Sequence, residues 1–339
     1  MRVQATLVAN RCVEPRMRTP IRLLAVAAVV PACLSGRSTL AAQPQSPRTV
    51  TEALVQARAE DGILNSGAMF SPANGSAKPI AVIWVHGNGV NFYSPTYLTI
   101  ARELAMRGLT TITVNTRMHD LGNVAGYHGE TRIRGGSYWG ATSEQVRDLA
   151  GWIDFAKQRG FARVVLVGHS AGATAVQLYG AQRQDDRVAG IVLASGRFRP
   201  GTAPVDSVRL KEAARLVAEG RGEEVPQIPN ASRPSVTSAA TLLDLANMGV
   251  MLTDFYGVEA TDAPVTRIRC PILAWFGTKG DVGTAADLEL LTSTLKRHSG
   301  GPSQVTTALI QNADHMYGGE EAQVAQTLVK WVDDVVAKK

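Results

Sequence analysis

A serine held between two glycines at the end of an apolar run is the feature of this sequence that most directly suggests chemistry. Val164 to Val167 forms the run, Gly168-His169-Ser170-Ala171-Gly172 follows, and Val176 and Tyr179 then fall on one side of a helical stretch reaching Gln182. Strand, sharp turn and helix in that order are the setting in which such a serine becomes a nucleophile elbow. A Cβ at position 168 or 172 would clash where strand end and helix start meet, and the serine must take a strained backbone conformation. Ser170 is thereby lifted clear of the chain, with the N–H groups of the helix start behind it. A serine hydroxyl attacks a carbonyl only when a base takes its proton, an acid holds that base in one tautomer, and donors receive the oxyanion.

The elbow resembles that of the α/β-hydrolase superfamily, and the resemblance extends over about residues 80 to 336. It implies the chain order nucleophile, acid, histidine. Asp281 stands in Phe276-Gly277-Thr278-Lys279-Gly280-Asp281, five residues past a predicted strand Ile272–Phe276, and matches the acid loop after the family's seventh strand. The bland alternative is a turn aspartate in a glycine-flanked loop; Asp287 is a lesser candidate because it falls on a predicted helix. His315, in Asn312-Ala313-Asp314-His315-Met316-Tyr317, follows the predicted strand Val305–Ile310 and sits where the family places its base. Of the other five histidines, His119 and His128 compete from a long polar loop, and His298 beside Lys296 and Arg297 reads as solvated. His86 reads as a support for its loop and His169 as a structural neighbour of the nucleophile. Asp314 reads as a turn residue.

The same resemblance places the oxyanion donors on two main-chain N–H groups. One belongs to Ala171, next to the nucleophile. The family's His-Gly after its third strand matches His86-Gly87, which carries the second donor onto Asn88. Asn91, Phe92 and Tyr93 either line the substrate cleft or pack beneath a cap. Arg117, His119, Tyr127 and Trp139 lie in the long glycine-rich loop Asn115–Gly140 and are candidates for substrate contact, with an ordinary folded loop as the alternative. No phosphate-binding GxxxxGK[ST], HExxH or paired CxxC is present, and no GxGxxG follows a strand, so neither cofactor nor metal is expected. The implied activity is hydrolysis of a small-molecule carboxylic ester through an acyl-enzyme. A peptidase, thioesterase, lactonase or cofactor-free haloperoxidase could use the same residues, and a binding protein could keep the scaffold without the reaction.

Positioning these groups calls for an α/β fold: a doubly wound, mostly parallel sheet of the α/β-hydrolase type, with a helical cap inserted between strands 6 and 7. Ile80–Val85 and Val188–Ala194 are continuous apolar runs, as expected of strands buried on both faces. Thr110–Val114 is β-branched, and Tyr97–Arg107 is helical by pattern. Thr142 with Gln145 predicts a capping box opening a helix with Val146, Leu149, Ile153 and Ala156 on one face. The alternation stops at Phe198. Residues 198–268 carry two helical patterns, Val208–Glu219 and Ser235–Phe255, around Pro226, Pro229 and Pro234, and are read as the cap. The core is expected over 80–197 and 269–339, ending in a helix with Val324, Leu328, Trp331 and Val335 as its stripe. Residues 43–79 are expected to be a lead-in, with a strand or short helix from Val50.

The chain has 339 residues and a net charge of +6, but that charge is concentrated at one end. Six of the 35 basic residues and one of the 29 acidic ones fall in residues 1–42, leaving a nearly neutral body and no nucleic-acid footprint. Arginines, the apolar run Leu23–Val30 and small residues at Thr39-Leu40-Ala41-Ala42 together predict a signal peptide over 1–42, with Met17 as an alternative start. The run is too short to span a bilayer, so no membrane span is expected in the mature chain. The expected location is secreted or periplasmic; lipidation at Cys33 is the weaker reading. Of three cysteines only Cys270 would remain after cleavage, which excludes an intramolecular disulfide.

Overall fold

The computed structural model describes residues 50–73, 77–128, 131–196, 207–228, 235–249 and 254–337. The predicted signal peptide and Cys33 lie outside the described residues. In chain order the strands are β1 (Val50–Arg58), β2 (Leu64–Pro72), β3 (Ile80–Val85), β4 (Thr111–Val114), β5 (Asn123–His128), β6 (Thr131–Gly135), β7 (Arg163–His169), β8 (Val188–Ala194), β9 (Ile272–Gly277) and β10 (Val305–Ile310). The helices are α1 (Pro95–Met106), α2 (Gln145–Gln158), α3 (Gly172–Arg183), α4 (Ser207–Ala218), α5 (Ala239–Asn247), α6 (Ala285–Arg297) and α7 (Glu321–Trp331).

Eight strands form one sheet in the order β1-β2-β4-β3-β7-β8-β9-β10. From β4 to β10 all neighbours run parallel, while β2 pairs antiparallel with both β1 and β4. β3 explains why its sequence is apolar at every position. Ala81, Ile83 and Val85 join the cluster of Leu149, Trp152, Ile153 and Val176, on the face carrying α2 and α3. Ile80, Val82 and Trp84 pack on the opposite face against α1 and α7, through Ile100, Leu104, Leu328 and Trp331. Each aliphatic side chain so enclosed contributes about 1.5–3 kcal/mol.

Several boundaries differ from the sequence expectation. Residues 50–72 form the β1–β2 hairpin of the main sheet, so the body starts there and not at Ile80. The reason is that β1 is an edge strand with one face in water, leaving only Val55 and Ala57 buried, and Val-Thr-Glu-Ala-Leu-Val-Gln-Ala-Arg shows no clean alternation. The loop 115–140 contains a second hairpin, β5–β6. The Thr142–Gln145 capping box does not form, because an acceptor from another element is already there. Asp244 on α5 accepts from the Thr142 N–H at 2.6 Å, the Ser143 N–H at 3.2 Å and the Ser143 hydroxyl. At the C-terminus the helix opens into a π-turn over Val332–Val336, which turns Val332 and Val336 fully inward and leaves Val335 half-buried against the same cluster.

Within 198–268, α4 and α5 pack together through Ala213, Leu216, Ala239 and Leu242. α5 ends at Asn247, shorter than the predicted Ser235–Phe255 helix. The pair is pinned to the segment before α2: the Ser238 N–H donates to Tyr138 O at 2.8 Å, Thr241 Oγ1 to Gly140 O at 2.9 Å, and Trp139 Nε1 to Glu223 O at 3.0 Å. Pro229 and Pro234 lie outside the described residues.

Candidate active site

The site begins with the turn between β7 and α3. Ser170 adopts φ 53°, a left-handed conformation costly for a residue with a side chain. Its N–H donates to Ala194 O at 2.9 Å, which ties the turn to the end of β8. A Cβ on Gly168 would lie 2.3 Å from Gly172 O, and one on Gly172 would lie 2.5 Å from His86 O. Both glycines are therefore fixed by space, as the motif requires.

His315, in the loop between β10 and α7, brings Nε2 to 3.0 Å from Ser170 Oγ. Its Nδ1 lies 2.7 Å from Asp281 Oδ1, in the loop after β9. The side chain of Asp281 is fully buried and also accepts from the Gly277 N–H at 2.6 Å, the Val282 N–H at 2.7 Å and the Ser195 hydroxyl. Burial pushes its carboxyl up, but hydrogen bonds from His315, Ser195 and the two amides outweigh that and hold it below the ordinary value. The carboxylate stays ionised and fixes His315 with its proton on Nδ1, leaving Nε2 free to accept from Ser170.

Ser195, Tyr317 and Trp275 complete this side of the site and were not picked out from sequence. Tyr317 Oη donates to Ser195 Oγ at 2.6 Å and accepts from Trp275 Nε1 at 3.0 Å. Ser195 has φ 48° and its N–H donates to Trp275 O at 2.9 Å, so the end of β8 repeats the hydrogen-bonded step seen at Ser170 one strand over. The available signals were weak: a Ser-Gly directly after an apolar strand, and a tyrosine two residues past His315.

The loop after β3 lies against Ser170, since a Cβ on Gly87 would stand 3.1 Å from Ser170 Cβ. His86 supports it as expected. The ring is buried, with Nδ1 donating to Gly87 O at 2.8 Å and Nε2 accepting from the Thr116 N–H at 3.2 Å. Burial lowers its pKa to about 4. Gly89 N–H is held by Ser137 Oγ at 3.1 Å. Among the described residues the N–H groups of Asn88 and Ala171 carry no hydrogen bond, and both residues are exposed. His169 is buried beside Ser170 and His315. Its Nδ1 lies 2.6 Å from Tyr97 Oη and its Nε2 2.8 Å from His315 O.

The substrate-contact candidates divide differently. Arg117 is committed to the fold: its guanidinium bonds to the buried Asp148 at 3.0 and 3.1 Å and to Asp61 at 2.9 Å. Trp139 anchors the inserted segment at Glu223 and lies under Arg134, 5.5 Å from its ring centre. Asn91 Nδ2 donates to Asp120 at 2.7 Å, and Asp120 also holds His119 Nδ1 at 2.8 Å; the histidine hydrogen-bonded to Ser170 is His315. Phe92 and Tyr93 line a surface groove with Leu54, Phe70 and Leu98. The side chains of Tyr127 and His128 lie outside the described residues. Asp287 is occupied as the carboxylate of the capping box that opens α6, accepting from the Thr284 N–H at 2.6 Å. Asp314 accepts from the Met316 N–H at 2.9 Å, which makes it the turn residue expected.

Among the described residues no group of three His, Cys, Asp or Glu side chains could hold a metal, and no helix is long and apolar enough to cross a membrane.

Comparison with known proteins agrees with this architecture. A family model described as serine aminopeptidase, S33, matches residues 77–321. Among solved structures, a thermostable carboxyl esterase from Bacillus coagulans, in complex with glycerol, superposes with a TM-score of 0.60 at 16% identity, covering 84% of this chain and 99% of the esterase. Est1E from Butyrivibrio proteoclasticus, bound to ferulic acid, gives a TM-score of 0.56 at 15% identity over 84% and 99% of the two chains. A thermophilic esterase from Thermogutta terrifontis gives 0.52 at 18% identity, with the same coverage. No curated protein matches the sequence.

Proposed function

From the premise that this chain belongs to the serine aminopeptidase S33 family of α/β hydrolases, we propose that it cleaves a small-molecule carboxylic ester through a serine acyl-enzyme. The observation that carries the reading is the hydrogen-bonded row Ser170 Oγ, His315 and Asp281, assembled from three loops at the carboxyl ends of β7, β10 and β9. Esterases among the structural neighbours favour an ester over an amide.

In this mechanism Ser170 Oγ attacks the carbonyl carbon as its proton passes to His315 Nε2. Asp281 compensates the imidazolium so formed, and the N–H groups of Asn88 and Ala171 receive the oxyanion. The tetrahedral adduct collapses as His315 returns the proton to the leaving alcohol. Water, deprotonated by the same nitrogen, then attacks the acyl carbon and releases the acid with Ser170 restored. Residues 198–268 serve as the cap that shapes the substrate cleft, and residues 1–42 as a signal peptide that exports the chain.

The test is turnover of a panel of 4-nitrophenyl esters and aminoacyl 4-nitroanilides, with fluorophosphonate labelling of the protein. Ester turnover and labelling, both abolished in Ser170→Ala, are expected. Turnover confined to the anilides would make the chain an aminopeptidase, and absence of labelling would remove the nucleophile. N-terminal sequencing of the exported protein tests the signal peptide.

A further inference from the structure

His169 is buried to 1% exposure between the nucleophile and the base, yet the mechanism above gives it nothing to do. Its neighbours are Tyr97 on α1, Gly87 in the loop after β3, and His315 and Tyr317 in the loop after β10. The Gly87 N–H donates to Tyr97 Oη at 3.2 Å. That leaves the single phenolic proton for His169 Nδ1, 2.6 Å away. A nitrogen that accepts there obliges the other to carry the ring proton, and Nε2–H indeed faces the His315 carbonyl at 2.8 Å. Donor and acceptor roles are thus determined along the whole chain, with every bond pointing the same way and polarising the next.

We propose that His169 and Tyr97 are positioning residues, joining the loop that carries the Asn88 amide to the main chain of the base through Gly87 N–H, Tyr97 O–H, and the two nitrogens of His169. This rests on the reading of Ser170 and His315 given above. Two further contacts hold the base loop from the same ring: the His169 and His315 centroids are 4.9 Å apart, and Tyr317 meets His169 edge-on at 5.2 Å. On the other side, a Cβ on Gly87 would come within 3.3 Å of His169 Nδ1, so the oxyanion loop rests directly on the ring. A buried phenylalanine would fill the same space; what it would lack is the directional link between two loops that must stay in register with Ser170. The titratable groups around His169 are His86, Tyr97, Asp281, His315 and Tyr317. Burial is the largest influence on His169, lowering its pKa to about 4 and keeping Nδ1 available as an acceptor.

The experiment compares wild type, His169→Phe, His169→Gln, Tyr97→Phe and the double variant Tyr97→Phe/His169→Phe on 4-nitrophenyl butyrate, with amide exchange at Gly87 measured in each. His169→Phe is expected to lower kcat about ten-fold or more with KM within about two-fold, as for a misplaced rather than a missing catalytic group. His169→Gln, which can still donate to the His315 carbonyl, should keep kcat within about three-fold. The double variant should be no slower than His169→Phe, because both substitutions cut one chain. Gly87 should exchange about ten-fold faster in Tyr97→Phe, and faster in His169→Phe too. Wild-type kcat in His169→Phe, losses that multiply in the double variant, a loss carried by KM, or Gly87 exchange unmoved by Tyr97→Phe would each overturn the link. If His169→Phe fails to fold, Tyr97→Phe and His169→Gln decide the matter. The exchange measurement needs no turnover, so an inactive wild type would sink the esterase reading while the link between the loops was still judged.

Discussion

Ser195 and His315 bind opposite oxygens of one carboxylate: Ser195 Oγ takes Asp281 Oδ2, and His315 Nδ1 takes Oδ1. The serine thereby fixes the rotation of the carboxylate that fixes the imidazole. Ser195→Ala removes this constraint and leaves the buried Tyr317 hydroxyl without its acceptor. A hydrogen bond to a charged group contributes about 1.5–3 kcal/mol, so kcat should fall by about ten-fold or more. Adding Tyr317→Phe should cost little further. An unchanged kcat in Ser195→Ala would show that the two amides on Asp281 suffice.

The oxyanion assignment rests on the Asn88 main chain and not its side chain. Asn88→Ala keeps the N–H and should lower kcat by less than about five-fold, against the roughly 10²–10³-fold expected on losing a donor. A loss of the larger size in steady-state kinetics would move the donor onto the carboxamide.

Arg117 gives a prediction about stability instead of substrate. Arg117→Ala leaves Asp148, 1% exposed, as an uncompensated buried carboxylate, and should destabilise the protein by about 3–5 kcal/mol in urea unfolding. Arg117→Met with Asp148→Leu should recover much of this. A folded Arg117→Ala protein of wild-type stability and raised KM would return the residue to substrate binding.

His86 and His169 both hold pKa values near 4 against an ordinary 6.5. Between those values the unfolded chain binds protons that the folded one does not, so stability rises with pH from about 4 to 6.5 and is lost on acidification. Each histidine accounts for a change on the order of 3 kcal/mol over that window. Denaturation followed at pH 4.5, 5.5 and 7 should show the decline, and His169→Gln should remove a sizeable part of it. A stability curve flat over this range would contradict the buried neutral rings. Below it Asp281 acts in the same sense: its depressed pKa stabilises the fold above the ordinary carboxylate value, and that contribution disappears as pH drops through the folded one.

The parts legible in the sequence were those with strict local requirements. The elbow shows itself because Gly168 and Gly172 leave no room for a Cβ, and β3, β8 and the interior of β7, Val164 to Val167, because burial on both faces leaves only apolar residues there. Asp281 and His315 emerged because each follows a predicted strand at the place the family resemblance assigns, although only β9 is buried on both faces and β10 is an edge strand. What escaped depends on partners far away in the chain. β1 gains its identity from pairing with β2 and not from its own weak pattern. The start of α2 is satisfied by Asp244, about a hundred residues later, so the local Thr142–Gln145 signature had nothing left to do. Arg117 resembled a ligand-binding cation because nothing nearby in sequence announces Asp148.

Two adjacent strands end in the same way, each followed by a left-handed serine whose amide donates to a carbonyl of the next strand: Ser170 to Ala194, then Ser195 to Trp275. Ser170 and Ser195 are therefore spaced like rungs, by the separation of neighbouring strands, about 4.8 Å. Such a frame is indifferent to what surrounds it. The insert and the β5–β6 hairpin could be redrawn while the row of Ser170, His315 and Asp281 kept its geometry.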